Sequence, residues 1–349
     1  MSINVVARKF LWGRAGNQCA WSDCTQSLTA VAGDAEAGVL KSQGMVIGEE
    51  AHIRSSKPDG PRYDPSFPTE LIDAYENLIL LCPTHHTVID KDNGDGWPTD
   101  AVLQMKRDHE MRLESSRRPH DTQRLRLEER LAAQVATWER QLGIDTEGDW
   151  DGLTFGLNFP IPMIEPERIK RLTELGHWLL RRSWPPEYPR VKLAFARHFS
   201  VVQTLLSVLG DVMVRSDHRW ELDRPYKRLG RWDPAEYERL LRETNLRATT
   251  IWFLTTELAR SANLVITAVR DEIDPLYRFD EGIVLTRDGD GILVNQVIRD
   301  EYAEWKWESP TRFPTIKEIR DAIESAAAPN DSRLQGIDPR AIVPSTHEP

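Results

Sequence analysis

Three cysteines in 349 residues exclude a disulfide-stapled scaffold. Their odd number, and the lack of an apolar run behind the first basic residues, leave no secretory signal to expect. Cys19, Cys24 and Cys82 therefore fit a reducing, cytoplasmic compartment and metal ligation better than disulfides. Long hydrophobic runs are missing too. The longest apolar stretch, Phe199 to Leu209, is broken by Gln203 and is too short to span a bilayer, so no membrane partner is expected. Excess positive charge is also absent: the formal net charge is -10. An acidic balance argues mildly against nonspecific binding to nucleic acid, because phosphate contacts need Lys and Arg. It does not exclude a nuclease, since a bound divalent cation supplies positive charge where the phosphate sits. No internal repeat is visible.

What remains is ordinary for a soluble globular protein, with 40% hydrophobic and 29% charged residues. The length suggests two domains, or one domain with a large extension. Residues 1–98 are rich in Gly, Pro and Asp with short apolar runs, which predicts loops, short strands and a compact metal-held module. A helix is predicted from Thr99, capped by its hydroxyl, to about Leu113. The composition of Ser115 to Thr122, SSRRPHDT, predicts a linker over 116–122 between domains at 1–115 and 123–328. In the second domain Leu127, Leu131, Val135, Trp138 and Leu142 repeat at helical spacing. Helical patterns recur near 165–182, 190–215, 234–243 and 247–273, and a last helix covers about 315–326. Ile283–Leu285 and Ile292–Val294 flank Asp288-Gly289-Asp290-Gly291, which predicts a β-hairpin. That turn lacks the downstream Glu of an EF-hand loop and reads as a plain turn. Residues 329–349 are polar and Pro-rich, and are expected to be disordered.

Four pieces carry chemistry, in order: Cys19-Ala-Trp-Ser-Asp-Cys24; Gly48-Glu-Glu-Ala-His52-Ile; Gly60-Pro-Arg-Tyr-Asp64; and Glu76-Asn77-Leu-Ile-Leu-Leu-Cys82-Pro-Thr-His85-His86-Thr-Val-Ile-Asp90. Cys19, Cys24, Cys82 and His85 make a Cys₃His set of two close pairs across a long loop, the usual layout of a closed tetrahedral zinc site. Such a site can hold together a module too small to build its own core. The alternative is three buried cysteines and a surface histidine. His86 and Asp90, four apart, share one helix face and can reach one cation, Mg²⁺ or Mn²⁺ in an oxygen-rich site. The alternative there is a solvated helix end.

The order His52, Asn77, His86 resembles the HNH endonuclease family over about residues 8–112. The resemblance implies a ββα-metal fold, with the first His on a strand, the Asn in the following loop and the last His on the helix. It implies that His52 is the general base, a role a neutral imidazole can fill near neutral pH. A metal on His86 and Asp90 would stabilise charge on the scissile phosphate and leaving oxygen, while Asn77 orients the loop and His52. The catalytic set is thus His52, Asn77 and His86. One departure stands out: many members carry a metal-binding Asp or His just before the base, where this chain has Ala51. Glu50, on the His52 face of the strand, is the candidate substitute, and water is the other. The run AHI…GPRYD…ENLILLC…HH…ID looks like the HNH modules fused to sensor domains in bacterial anti-phage effectors, including those with SAVED cyclic-oligonucleotide receptors. Arg62 would then contact a DNA phosphate, or else make a surface salt bridge. No SAVED pattern follows residue 120.

Most of the 12 Trp residues lie in the back two-thirds. Arg181-Arg182 near Trp178 and Trp184, and Arg224–Arg231 around Tyr226 and Trp232, are candidate sites for a nucleotide or nucleic-acid backbone. The alternative is aromatic core beside a solvated charged face. The helix from 123 to 142 pairs with its copy in a homodimer or packs on its own domain.

The fold expected is α+β: an N-terminal zinc-stabilised ββα-metal module, then a mostly α-helical domain with a small β-hairpin. The function expected is a metal-dependent DNA endonuclease, a regulated anti-phage effector activated by a nucleotide or partner protein through the C-terminal domain. Alternatives are a non-catalytic zinc-finger module and a site-specific restriction or homing enzyme. A finger needs the four zinc ligands but neither His52 nor Asn77, and no strongly basic recognition helix supports the second.

Overall fold

A computed structural model describes residues 3–32, 43–146, 148–288, 296–302, 305–327, 334, 337–342 and 344. The chain forms two compact units, Met1–Ala136 and Thr137–Pro349.

The first unit opens with helix α1, Val5–Arg14, where loops and short strands were expected. Asn4 caps it by accepting a hydrogen bond from the Ala7 amide at 2.9 Å, and Val5, Ala7, Leu11 and Trp12 are buried at helical spacing. Strands β1 (Thr29–Ala32) and β2 (Gln43–Val46) pair antiparallel. Strand β3, Glu49–His52, pairs antiparallel with β4, Leu78–Leu81, in the register Glu49↔Leu81 to His52↔Leu78. All four β4 side chains are buried, as a strand covered on both faces requires. Cys82 ends β4 and is the N-cap of helix α2, Pro83–Asp90, which completes a ββα unit.

Helix α3 spans Thr99–Ser116, three residues beyond the expected end. Thr99 is its first helical residue and not its cap; the extended Pro98 takes the cap position without a side-chain bond. His109 Nε2 on α3 hydrogen-bonds the Ala15 carbonyl at 3.1 Å, tying α3 to the end of α1. Helix α4, Pro119–Leu142, starts after only Arg117 and Arg118, so the linker expected at 116–122 is mostly helix. Salt bridges Lys9–Glu128 (2.7 Å) and Arg14–Glu129 (3.0 Å) fasten its front half to α1. That is why the two units part within α4 and not ahead of it. Leu131, Val135, Trp138 and Leu142, the stripe that left a dimer open, are buried within the monomer.

The second unit is mostly helical. It contains α5 (Asp149–Leu157), strand β5 (Met163–Ile164), α6 (Pro166–Leu180), α7 (Pro189–Val212), β6 (Met213–Ser216), β7 (Arg219–Leu222) and α8 (Pro234–Glu272). The strands form a sheet in the order β5-β7-β6, where no sheet was expected. Helix α8 is one rod of 39 residues in place of two, because nothing at 244–246 breaks it. Helix α7 extends well beyond the apolar stretch Phe199–Leu209 that it contains. At 24 residues, with an 18-residue window of mean hydropathy 1.3, it is long and apolar enough to cross a bilayer. Its Val191, Phe195, Val202, Leu205 and Leu209 are buried, and it packs along α8.

A hairpin is present, displaced from its expected position. Strands β8 (Thr286–Asp288) and β9 (Gln296–Ile298) pair antiparallel. Asn263 of α8 accounts for the shift: its Oδ1 accepts from the Val284 N–H (2.9 Å) and its Nδ2 donates to the Val284 carbonyl (2.9 Å), so both backbone groups of Val284 are already satisfied. The expected turn 288–291 and second strand 292–294 lie outside the described residues but for Asp288. Helix α9, Ile316–Ala326, begins as expected at Thr315, in a capping box with Glu318. Part of the tail expected to be disordered is anchored: Leu334 and Ile342 are buried, and Arg260 Nη2 donates to the Arg340 carbonyl at 3.1 Å. Tail residues 329–333, 335–336, 343 and 345–349 lie outside the described ones.

The aromatic–basic clusters divide. Trp184 stacks on Phe195 at 3.9 Å and Trp178 is buried, so that cluster is core with Arg182 laid over Trp178. Arg224 and Arg228 pair with Glu221 (3.4 Å) and Asp223 (2.5 Å), which neutralises part of the second cluster.

Candidate active site and metal centre

The four expected zinc ligands converge. One ligand atom from each of Cys19, Cys24, Cys82 and His85 lies within 4.8 Å of the others. Cys82 Sγ and Cys19 Sγ stand 3.1 and 3.5 Å from His85 Nδ1, and Cys24 Sγ stands 4.0 Å from Cys82 Sγ. Tetrahedral bonds of about 2.0–2.3 Å require edges of about 3.5–3.8 Å, so the cluster has the span of one zinc. Local backbone builds it. The Cys82 amide donates to Cys19 Sγ at 3.3 Å, and the Ala20 amide donates to the Leu80 carbonyl at 2.9 Å. Trp21 stacks flat on the His85 ring at 4.4 Å and fixes its plane. Burial pushes the Cys19 thiol up to about 12, and a cation bound there would favour its thiolate.

His86 and Asp90 meet on the outer face of α2, with His86 Nε2 at 3.1 Å from Asp90 Oδ2. The other ring nitrogen, Nδ1, contacts Glu49 Oε2 from β3. The Asp90 hydrogen bond, then that of Glu49, raises the His86 pKa against the opposing effect of burial. Burial alone would raise the Asp90 carboxyl; hydrogen bonds from His86 and Arg62 outweigh it and hold the pKa below the usual carboxylate value.

Two expected residues are elsewhere engaged. Glu50 accepts hydrogen bonds from Arg8 Nε (2.9 Å) and Trp12 Nε1 (2.7 Å), so it belongs to the β3–α1 contact and not to a metal site. Strand alternation puts Glu49, not Glu50, on the face of Ala51. Arg62 does not offer itself to DNA. Its side chain is 3% exposed, and it donates to the Ile53 carbonyl (2.6 Å), the Ile89 carbonyl (2.6 Å) and Asp90 Oδ1 (2.5 Å). It is a strut between the strand end carrying His52 and the helix end carrying Asp90. Its place depends on Gly94, at φ +82°, where an added Cβ would lie 2.6 Å from Arg62 Nη1.

His52 closes β3. Its Nε2 stands 2.8 Å from Asp73 Oδ1. Asn77 is buried and makes no bond to His52. Its Oδ1 takes the Arg54 amide (3.0 Å), and its Nδ2 donates to the carbonyls of Arg54 (3.0 Å) and Ile72 (2.9 Å). It clasps the loop before β4 to the end of β3. Glu49 and Asp73 were missed by sequence reasoning. Glu49 was readable from its two-residue step to Ala51, whereas Asp73 carries no spacing signal.

No curated protein gives a match to the chain. Residues 25–93, which hold β3, β4, α2 and the side chains of His52, Asn77, His86 and Asp90, match the family model described as HNH endonuclease, so this segment is similar to HNH endonuclease domains.

Proposed function

We propose that this protein is a metal-dependent DNA endonuclease with His52 as general base. The carrying observation is the ββα unit that ends one strand on His52, clasps it through Asn77, and sets His86 and Asp90 on the following helix. One imidazole and two half-exposed carboxylates suit a hard divalent cation such as Mg²⁺ or Mn²⁺. A ring presents one nitrogen to an ion, so the two flanking carboxylates take different parts. His86 through Nε2, with Asp90, would hold the ion; Glu49 on Nδ1 would fix the ring and its tautomer. When bound, the ion supplies Lewis acidity toward the scissile phosphate and leaving oxygen. His52 takes the proton from the attacking water, and Arg62 keeps Asp90 ionised and in place. Zinc on Cys19, Cys24, Cys82 and His85 serves as structure. A zinc-finger role alone leaves the clasped Asn77 and the Glu49–His86–Asp90 group without a use.

Calorimetric titration of Mn²⁺ tests the ligand assignment. Asp90→Asn is expected to weaken binding about 100-fold and Glu49→Gln about 10-fold. Glu50→Gln should leave the affinity unchanged and lower the melting temperature through its Arg8 and Trp12 bonds. Weakening by Glu50→Gln alone would restore Glu50 and remove Glu49.

We further propose a cytoplasmic effector of anti-phage defence, held in check by the residues after about 120 and released by a nucleotide or partner protein. Support comes from the motif run AHI…GPRYD…ENLILLC…HH…ID and from the presence of a second compact unit in the chain. A ligand shifts such an equilibrium only through different affinity for the two states. Full-length protein should cut plasmid slowly alone and at least 10-fold faster with its activator among candidate cyclic oligonucleotides and co-encoded proteins. Fast cleavage by the protein alone, unchanged by every addition, contradicts this control.

A further inference from the structure

We infer that Asp73 is the positioning residue for His52, and that it makes Nδ1 the proton-accepting nitrogen of the base; this rests on the reading of His52 as base. Three observations carry it. The first is the 2.8 Å contact between Asp73 Oδ1 and His52 Nε2, with the carboxylate mostly buried and the ring 37% exposed. The second is how rigidly Asp73 is placed. It lies between two 3₁₀ turns, Thr69–Leu71 and Tyr75–Asn77. Its neighbours are bonded on both sides: the Ile72 amide to the Thr69 carbonyl (3.3 Å) and the Ala74 amide to the Leu71 carbonyl (3.2 Å). The third is the Asn77 clasp. One buried amide binds the Ile72 carbonyl next to Asp73 and both backbone groups of Arg54, two residues past His52. Asn77 therefore fixes the Asp73–His52 distance and acts on the base through Asp73.

The chemistry follows from donor and acceptor counting. An ionised carboxylate only accepts, so the imidazole nitrogen that meets it carries the proton. A neutral ring has one N–H. With that proton on Nε2, Nδ1 keeps its lone pair and is the nitrogen that can take a proton from water. After transfer the ring is an imidazolium, and Asp73 lies against the new positive charge. Asp73→Asn is the incisive change, because its amide can donate to Nε2 and so favours the Nδ1–H tautomer, which cannot act as base. The equivalent change in a Ser-His-Asp triad lowers kcat about 10⁴-fold through the wrong tautomer.

The tautomer is read in full-length protein with ¹⁵N-labelled histidine and no added divalent ion, the His52 signals being assigned by their loss in His52→Gln, and cleavage is measured separately with Mg²⁺ or Mn²⁺ and the candidate activators present. Wild-type His52 is expected to show a protonated Nε2 and a bare Nδ1. Asp73→Asn is expected to shift protonation toward Nδ1, lower kcat for plasmid cleavage at least 100-fold and leave KM within about 2-fold, with Asp73→Glu recovering part of kcat. A wild-type ring protonated on Nδ1 overturns the inference even if no variant folds. So does an unchanged tautomer in Asp73→Asn, or a changed tautomer with unchanged kcat. If wild-type protein does not cut DNA at all, the endonuclease reading fails, while the tautomer still decides whether Asp73 orients His52.

Discussion

His52→Ala is expected to lower plasmid cleavage by about 10³-fold, within the range that general acid–base groups contribute. Zinc content and melting temperature should stay near wild type. The separation of effects follows from where the side chain sits. His52 is 37% exposed, and its ring is hydrogen-bonded to Asp73, so truncation removes a reactive nitrogen and little packing. The strand keeps its register, which depends on backbone pairs and on Ala51 and Ile53, both buried. Cleavage by the variant at the wild-type rate would remove His52 from the chemistry. A large fall in melting temperature would show it to be structural.

Cys24→Ser is expected to have the largest effect on folding. A four-ligand structural zinc contributes about 10–16 kcal/mol of apparent binding energy in small zinc-binding peptides, comparable to the whole stability of a typical domain, about 5–15 kcal/mol. Losing one thiolate should leave the purified protein with well under half an equivalent of zinc, and should unfold Met1–Ala136 at temperatures where the second unit still melts cooperatively. Cys24 is the informative choice because it is only half-buried, whereas Cys19 and Cys82 are buried and their loss would also disturb packing. Full zinc occupancy with an unchanged melt would show that Cys24 is not a ligand.

Which features the sequence revealed depends on how local their physics is. The convergence of the Cys₃His cluster was legible because two short spacings, Cys19 to Cys24 and Cys82 to His85, set two half-sites, and one strand–helix junction at Cys82 joins them. The His86–Asp90 pair was legible for the same reason, being one helical turn. Features set by tertiary partners were not. Glu50 and Glu49 are equally good carboxylates in the sequence; what separates them is α1, whose Arg8 and Trp12 claim Glu50. That helix was itself missed, although Asn4 and the apolar spacing of Val5, Ala7 and Leu11 mark it. Arg62 reads as a surface cation by composition, yet its contacts with Ile53, Ile89, Asp90 and Trp97 come from segments 9 to 35 residues away. Asp73 is 21 residues from His52 with no motif between them. In the second unit helices were found by period, while the β5-β7-β6 sheet was missed because strands of two to four residues leave too little alternation to read.

The central claim is that this ββα unit hydrolyses DNA with a divalent cation and His52. It is tested most directly by incubating supercoiled plasmid with full-length wild-type protein and with His52→Ala, each zinc-replete, with and without Mg²⁺ or Mn²⁺, in the presence of the candidate activators. The account predicts cleavage by wild-type protein only when a divalent ion is added, and cleavage about 10³-fold slower by the variant under the same conditions. Equal cleavage by the two proteins, or wild-type cleavage that persists in full after divalent ions are removed, would contradict it.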